Sequence, residues 1–458
     1  MRKTILAPAL TALALSLSSA PALSRDAAPG STITAERIKA EEELLAGPGL
    51  RGRGSATPDE AIAAGYVASL FRDFGLKTAP GMDGYLQSAP LVRRAVAGPA
   101  TVTIDGKPVA EASVLMTGGG TVGGTVAIMA DPKGALPKAE AIVYTGPADA
   151  LMSLRFRLRG TGVKLVLAAE SDASRELLAK IGGKPTLPTT FADTNVSSGM
   201  GGGRTTFVTL PADAIAAIRA GAEARVDVPV AASPATTTNA IGYLPGTDPK
   251  AGVILLTAHL DHLGVRPDGV VMPGANDDAS GTVAVIELAR AFAAMKPMKR
   301  GILFVAYGSE EIGGLGSTWF GEHPPVPLDH LVANIEFEMI GAQDPKLPRG
   351  ALMMTGSERS NLFEMMKDHG ALVAADPYPD QHFFERSDNY SLALKGVVAH
   401  TLSGWAVVPT YHQPTDTIEN IDIDYMTAAI RSLVAPIRLL ASGGFRPEWK
   451  PDGRPAAR

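Results

Sequence analysis

Between residues 250 and 442 the chain alternates short, almost wholly apolar runs with longer segments whose apolar positions recur every three or four residues. The runs "GVILLTA", "GILFVAYG", "HLVANIEFEM" and "GVVAHTL" are too short for ordinary helices and too apolar for strands with one wet face, so they predict strands buried on both sides. The segments "GTVAVIELARAFAAM", "RSNLFEMMKDHG" and "DIDYMTAAIRSLVAPIRLLA" carry the helical period. Strand and helix in alternation predict an α/β fold, a mostly parallel central sheet flanked by helices.

The first third adds two predicted helices, in "STITAERIKAEEELLAG" and "TPDEAIAAGYVASLFRDFGL", the second opened by Thr57, Pro58, Asp59 and Glu60 as a good N-terminal signature. From 106 to 238 the pattern changes to short strand-like pieces such as "AEAIVYTG" and "GVKLVLAAE" between Gly-rich connections. That stretch reads as a small β-rich accessory domain, inserted between a first part of the main domain at 31–105 and a second at 239–442. All eight histidines lie at or beyond 259, so the insert cannot build a histidine-dependent site on its own. Its "GGGTVGG" at 118–124 lacks the Lys-Ser or Lys-Thr of a phosphate loop and reads as flexible turn. The segment 443–458 has no periodicity and reads as a loosely held tail.

Composition narrows the setting. Residues 1–22 have a short basic start, an apolar stretch and small residues at the end, the pattern of a secretory signal peptide cleaved after Ala20 or Ala22. A periplasmic or secreted protein follows, with no stable membrane insertion, since no later apolar run is long enough to span a bilayer. The absence of Cys excludes a disulfide framework and thiol catalysis. A net charge of −5 without a basic tract excludes nucleic acid as the expected partner. Nothing in the pattern sets an oligomeric state.

Chemistry gathers where the predicted strands end, which is where open α/β sheets bind ligands. "TAHLDHLG" follows the first strand with His259, Asp261 and His262. "PGANDDASG" places Asn276, Asp277 and Asp278 before a helix, either as a capping cluster or around a cation. "SEEIGGLGS" offers Glu310 and Glu311; neighbours on an extended segment point in opposite directions, so one can hold a metal while the other takes a proton from a reactant. "NIEFEMIG" sets Glu336 and Glu338 on one face of an apolar strand, costly for carboxylates unless a cation compensates. "PTYHQPTDT" supplies Tyr411, His412 and Asp416. Imidazole and carboxylate without thiolate fit Zn²⁺, with Mn²⁺ or Co²⁺ open, and the surplus of carboxylates suits two ions bridged by one Asp.

These pieces, in this order and at this spacing, resemble the M28 family of zinc metallopeptidases, aminopeptidases and related carboxypeptidases with a two-zinc centre. The resemblance is strong from 251 to about 442, and "LRGRGSATPDEAIAAGYVASLFRDFGL" is similar to the start of that catalytic domain. The insert resembles, by overall pattern, a protease-associated domain. The resemblance implies two Zn²⁺ per chain, one held by His259 and Glu338, the other by Glu311 and His412, with Asp277 bridging. It further implies Glu310 as general base, Tyr411 as oxyanion donor or as aromatic packing beside His412, Asp261 orienting the His259 ring, and a cis Asp277–Asp278 peptide. Arg386 and Asp388 are candidates for positioning substrate termini, and Trp405 for lining a side-chain pocket. One departure stands out, because the family commonly has Asp where this chain has Glu338. The implied reaction is hydrolysis of the N-terminal peptide bond of a peptide, with a carboxypeptidase and a non-peptide amidase or cyclising transferase as alternatives. A non-catalytic binding protein is disfavoured because the base and all five ligand positions are populated.

Overall fold

In the computed structural model, which describes residues 30–456 except 159, 184, 186 and 197–204, the apolar runs of the second half form the centre of a nine-stranded sheet. Its spatial order is Val373–Ala375, Leu352–Met354, Ala399–Ser403, Leu331–Glu338, Val253–His259, Gly301–Tyr307, Val230–Leu244, Leu86–Val96, Thr190–Phe191. The four strands from Ala399–Ser403 to Gly301–Tyr307 are mutually parallel. Strands on either side join them antiparallel, so the expected parallel sheet is the centre of a larger mixed one. The expected signal peptide lies outside the described residues.

The continuous apolarity of the central strands follows from their two covered faces. Alternate residues Ile254, Leu256, Ala258, Ile302, Phe304, Ile335 and Phe337 pack beneath the helices Ala35–Leu45, Pro58–Asp73, Ser280–Ala293 and Ile423–Ser442. Their neighbours Val253, Leu255, Leu303, Val305 and Tyr307 turn to the other face, against Phe320 and Leu392 of the helices Leu315–Glu322 and Asn389–Leu394. Thr57 caps the helix Pro58–Asp73 by accepting from the Asp59 amide, as its sequence signature implies.

Eight strands between Thr101 and Val228 form a second sheet with two apolar clusters of its own. Its edges differ from the expected 106–238. Thr101–Ile104 belongs to the small sheet, whereas 230–238 lies in the long strand Val230–Leu244, which pairs with Leu86–Val96 in the large one. The glycines at 120–124 fall inside the strand Gly120–Met129, and a Cβ at Gly123 would meet the Ala224 carbonyl at 2.3 Å, so close strand approach explains that glycine. The tail is also better held than its composition suggests. Trp449 packs beside Phe384 and His400, its indole N–H donates to the Gly396 carbonyl at 3.0 Å, and Lys450 N–H donates to the Arg359 carbonyl at 2.8 Å. Among the described residues no helix is long and apolar enough to cross a membrane.

Candidate metal centre

The carboxyl ends of the parallel strands converge. His259 is the last residue of Val253–His259 and Glu338 the last of Leu331–Glu338, while Glu310 and Glu311 follow Gly301–Tyr307. Asp277 stands between two groups. Its Oδ1 lies 3.3 Å from His259 Nε2, which is 3.7 Å from Glu338 Oε1. Its Oδ2 lies 3.2 Å from His412 Nε2, which is 3.1 Å from Glu311 Oε2. His262 joins the second group, its Nδ1 being 2.7 Å from Glu311 Oε1 and 3.8 Å from Asp277 Oδ2. Glu336, two residues back on the same strand face, forms no ion pair with the histidines; it accepts from Thr401, from the amides of Asp388 and Asn389 and from Ser387, whose hydroxyl also reaches Glu338.

The loops bearing these groups are tied to one another by buried polar side chains. Asp278, joined to Asp277 by a cis peptide, accepts from the amides of His259, Gly281 and Met339 at 2.9–3.3 Å, linking three ligand-bearing segments. Asp416 accepts from the amides of Asn276 and Asp277 at 3.0 and 3.1 Å, which ties the Asp277 backbone to the segment that carries His412. The Asp261 carboxylate accepts from the Glu310 amide at 2.9 Å and from Ser55 Oγ at 2.5 Å. It stands 3.7 Å from His259 Nδ1, which lies nearer the Asp261 carbonyl at 3.2 Å. Beneath the loops, fully buried Arg53 donates to the carbonyls of Leu45, Leu260, Pro273 and Gly274. Glu60, read from sequence as part of a helix start, is buried and accepts from Ser309 at 2.7 Å, steadying the residue before Glu310. Ser309 has a left-handed backbone (φ 56°), so Glu310 and Glu311 diverge from a turn and not from the extended segment their spacing suggested.

The arrangement concentrates negative charge around imidazole. Burial works to raise the Asp277 carboxyl, but His262, His259 and His412 outweigh it and hold that carboxyl well below the usual range. Burial works downward on His412, yet Asp277 and Glu311 push its imidazole up to about 10. For Glu310 burial is the leading cause of a carboxyl well above its ordinary value; His259 opposes, and Glu338, Asp388 and Glu311 add to the rise. His259 Nε2, both ring nitrogens of His262, Asp277 Oδ2 and Glu311 Oε1 are buried and make no hydrogen bond. Buried polar atoms without partners are costly, and a divalent cation satisfies both the orphaned lone pairs and the surplus charge. The donor set, oxygen and imidazole nitrogen only, fits zinc.

Above the gathering opens a cavity whose lining includes Asp277, Glu310, Glu311, Glu338, Tyr411 and His412. Met339, Met353, Phe383 and Ala406, with Thr355, Thr401 and Ser403, line it too. Tyr411 stacks on the His412 ring at 3.8 Å between centroids and also lines the cavity. Arg386 lines it as well, its guanidinium 5.0 Å over the Phe383 ring. Asp388, the other candidate for positioning substrate termini, is 3 % exposed, accepts from Ser317 Oγ and is not among the lining residues. Trp405 is not among the lining residues; it lies beside Tyr378, and its neighbour Ala406 takes the place at the wall.

Sequence reasoning brought His259, Asp277, Glu310, Glu311, Glu338 and His412 to one place, but it left Arg53 and His262 without roles, and read Glu60 only as part of a helix start and Asp278 as part of a cluster before a helix. Only His262 carried a local signal, as the second imidazole of "HLDH". The others act through contacts with residues distant in sequence. Residues 239–435 match the model of Peptidase family M28. The chain is 27% identical over 214 residues to Aminopeptidase YwaD of Bacillus subtilis (strain 168), covering 43% of this chain and 45% of that one. It is 36% identical over 108 residues to a probable zinc metalloprotease of Pyrenophora tritici-repentis (strain Pt-1C-BFP), covering 22% and 21%. It thus spans less than half the length of these curated relatives. Its fold is similar to that of BSAP, a zinc aminopeptidase from Bacillus subtilis, with a TM-score of 0.56 at 20% identity, over 92% of this chain and 97% of that one.

Proposed function

From the match of residues 239–435 to Peptidase family M28, we propose that this chain is a metal-dependent exopeptidase, an aminopeptidase that hydrolyses the N-terminal peptide bond of peptides with two zinc ions. The observation that carries the reading is the pair of imidazole–carboxylate groups sharing Asp277 at the base of a cavity that Glu310 also lines. His259 and Glu338 would hold one ion, Glu311 and His412 the other, and Asp277 both. Bound there, zinc supplies a Lewis acid for the scissile carbonyl and a water of lowered pKa.

The remaining chemistry belongs to the chain. Glu310 has a carboxyl that burial inclines to accept a proton, the property a general base needs before it returns that proton to the leaving amine. Tyr411, whose hydroxyl burial and the neighbouring carboxylates keep protonated, would donate to the carbonyl oxygen as charge grows on it. Asp261 orients rather than reacts, since its carboxylate is engaged by the Glu310 amide and Ser55. The Met339, Met353 and Phe383 wall suits an apolar side chain. Arg386 would meet the far end of a short peptide. The small sheet is read as an inserted accessory domain acting on access, and the protein as periplasmic or secreted.

The test is a panel of dipeptides with free and acetylated amino ends, run before and after chelation. Cleavage of the free set, loss on chelation and recovery with two zinc equivalents are expected. Equal cleavage of acetylated substrates, or release of the C-terminal residue from longer peptides, would overturn the aminopeptidase assignment.

A further inference from the structure

We propose that His262 is a third imidazole ligand of the centre, holding one ion together with Glu311, His412 and Asp277. The inference rests on the two-ion reading above and adds a residue to it.

The His262 ring is wholly buried, and neither of its nitrogens has a hydrogen-bond partner. Its Nδ1 approaches Glu311 Oε1 to 2.7 Å, a distance at which an N–H donor would ordinarily be bonded, yet neither atom makes a hydrogen bond. Two ligands of one ion stand in this relation, side by side and each pointing to the ion. Asp277 Oδ2, 3.8 Å from the same nitrogen and 3.2 Å from His412 Nε2, is likewise buried without a partner. The ring is also held in place. It rests on Gly274, where an added Cβ would fall 2.5 and 2.6 Å from its Cγ and Cδ2. The backbone is pinned on both sides: the His262 amide donates to the Arg53 carbonyl at 3.1 Å, and the His262 carbonyl accepts from Ser55 N–H at 3.2 Å. A surface imidazole that happened to drift near a carboxylate would have none of this.

The consequence is that the two sites are unequal. Four protein groups, His262, Glu311, His412 and Asp277, would then hold one ion and three, His259, Glu338 and Asp277, the other, so that only the second would keep room for a further ligand. The site with His262 should fill first and empty last.

Two measurements test this, neither of which reads turnover. The first is a crystal structure of the wild-type protein loaded with zinc, with ions placed by anomalous scattering. His262 Nδ1 at about 2.0–2.1 Å from one of two ions is expected. Two ions with Nδ1 well beyond bonding distance from both would overturn the role of His262 and leave the two-ion reading standing; no ion at all would overturn both. The second is zinc titration by calorimetry of chelator-treated wild type and His262→Asn. The asparagine amide reproduces a donor at the Nδ1 position, so a residue that merely steadied Glu311 would be rescued. We expect instead that one of the two ions binds at least about 10-fold more weakly. Wild-type affinity for both ions would overturn the proposal.

Discussion

Arg53 offers the sharpest test of how the centre is held. Its guanidinium donates to four carbonyls, those of Leu45, Leu260, Pro273 and Gly274, and the last three belong to the loops that carry His259, His262 and Asp277. Replacement by methionine keeps much of the stem and orphans all four acceptors. At about 1–3 kcal/mol for each buried group left unpaired, the loss would be roughly 4–12 kcal/mol, comparable with the whole stability of a folded domain. Arg53→Met should therefore fail to accumulate as folded protein. Arg53→Lys is the informative variant, because an ammonium keeps the charge but has three donors and no planar fork. At least one carbonyl is then orphaned, costing about 1–3 kcal/mol. The loops bearing the ligands should loosen with it, so zinc affinity should fall along with the urea midpoint. Unfolding of the metal-free and zinc-loaded forms separates the two effects. If Arg53→Lys unfolds within about 0.5 kcal/mol of wild type and binds zinc as tightly, Arg53 is not the clamp described.

Glu310→Gln should keep its fold and both ions and lose about 10²- to 10⁴-fold in kcat, measured on a dipeptide amide; retention of more than a third of the rate with unchanged metal content would refute a proton-transfer role. Glu338→Asp should lower zinc occupancy on the His259 side, because a carboxylate one methylene shorter on a fixed strand cannot reach the same point. Glu336→Gln, remote from that point but holding residues 387–389, should lose stability without losing zinc, and emission analysis after mild chelation reads both variants. His400, whose imidazole burial depresses to about 4, stays neutral in the fold while the unfolded chain takes up a proton near 6.5. Stability present above pH 6.5 is therefore lost as pH falls toward 4, by about 3 kcal/mol, and His400→Gln should lack that part of the slope in denaturant titrations across the same window.

The sequence carried the site where chemistry coincides with a change of local structure. His259, Glu311 and Glu338 each follow an apolar run, and the parallel pairing of those runs brings their ends together without further instruction. Roles that depend on long-range burial left no such trace. Arg53 sits in a Gly-rich, charged stretch that looks exposed, and only the approach of residues 260 and 273–274 turns it inward. Asp388, a candidate beside Arg386 for meeting substrate, is set by the fold against Ser317. The polar "ATTTNA" pairs with the strand Leu86–Val96 in the large sheet, a pairing no single segment announces. Trp449 gives the tail an anchor that its proline and glycine content hides.

That last long pairing bears on the order in which the molecule can come into being. Leu86–Val96 lies antiparallel to Val230–Leu244 from Leu86 opposite Ala240 to Val96 opposite Val230. During synthesis the first strand emerges early and waits while the eight strands of the small sheet are made. The small sheet, complete at Val228, can close as a unit before the large one has more than an edge. Pro90, Arg93 and Arg94 make the waiting strand a poor template for a stray neighbour. Asp277 follows, but Asp416, which fixes its backbone, and His412, which completes its second group, come nearly at the end. A chain still leaving the ribosome therefore has the two groups around Asp277 unfinished until residues 412–416 have been made.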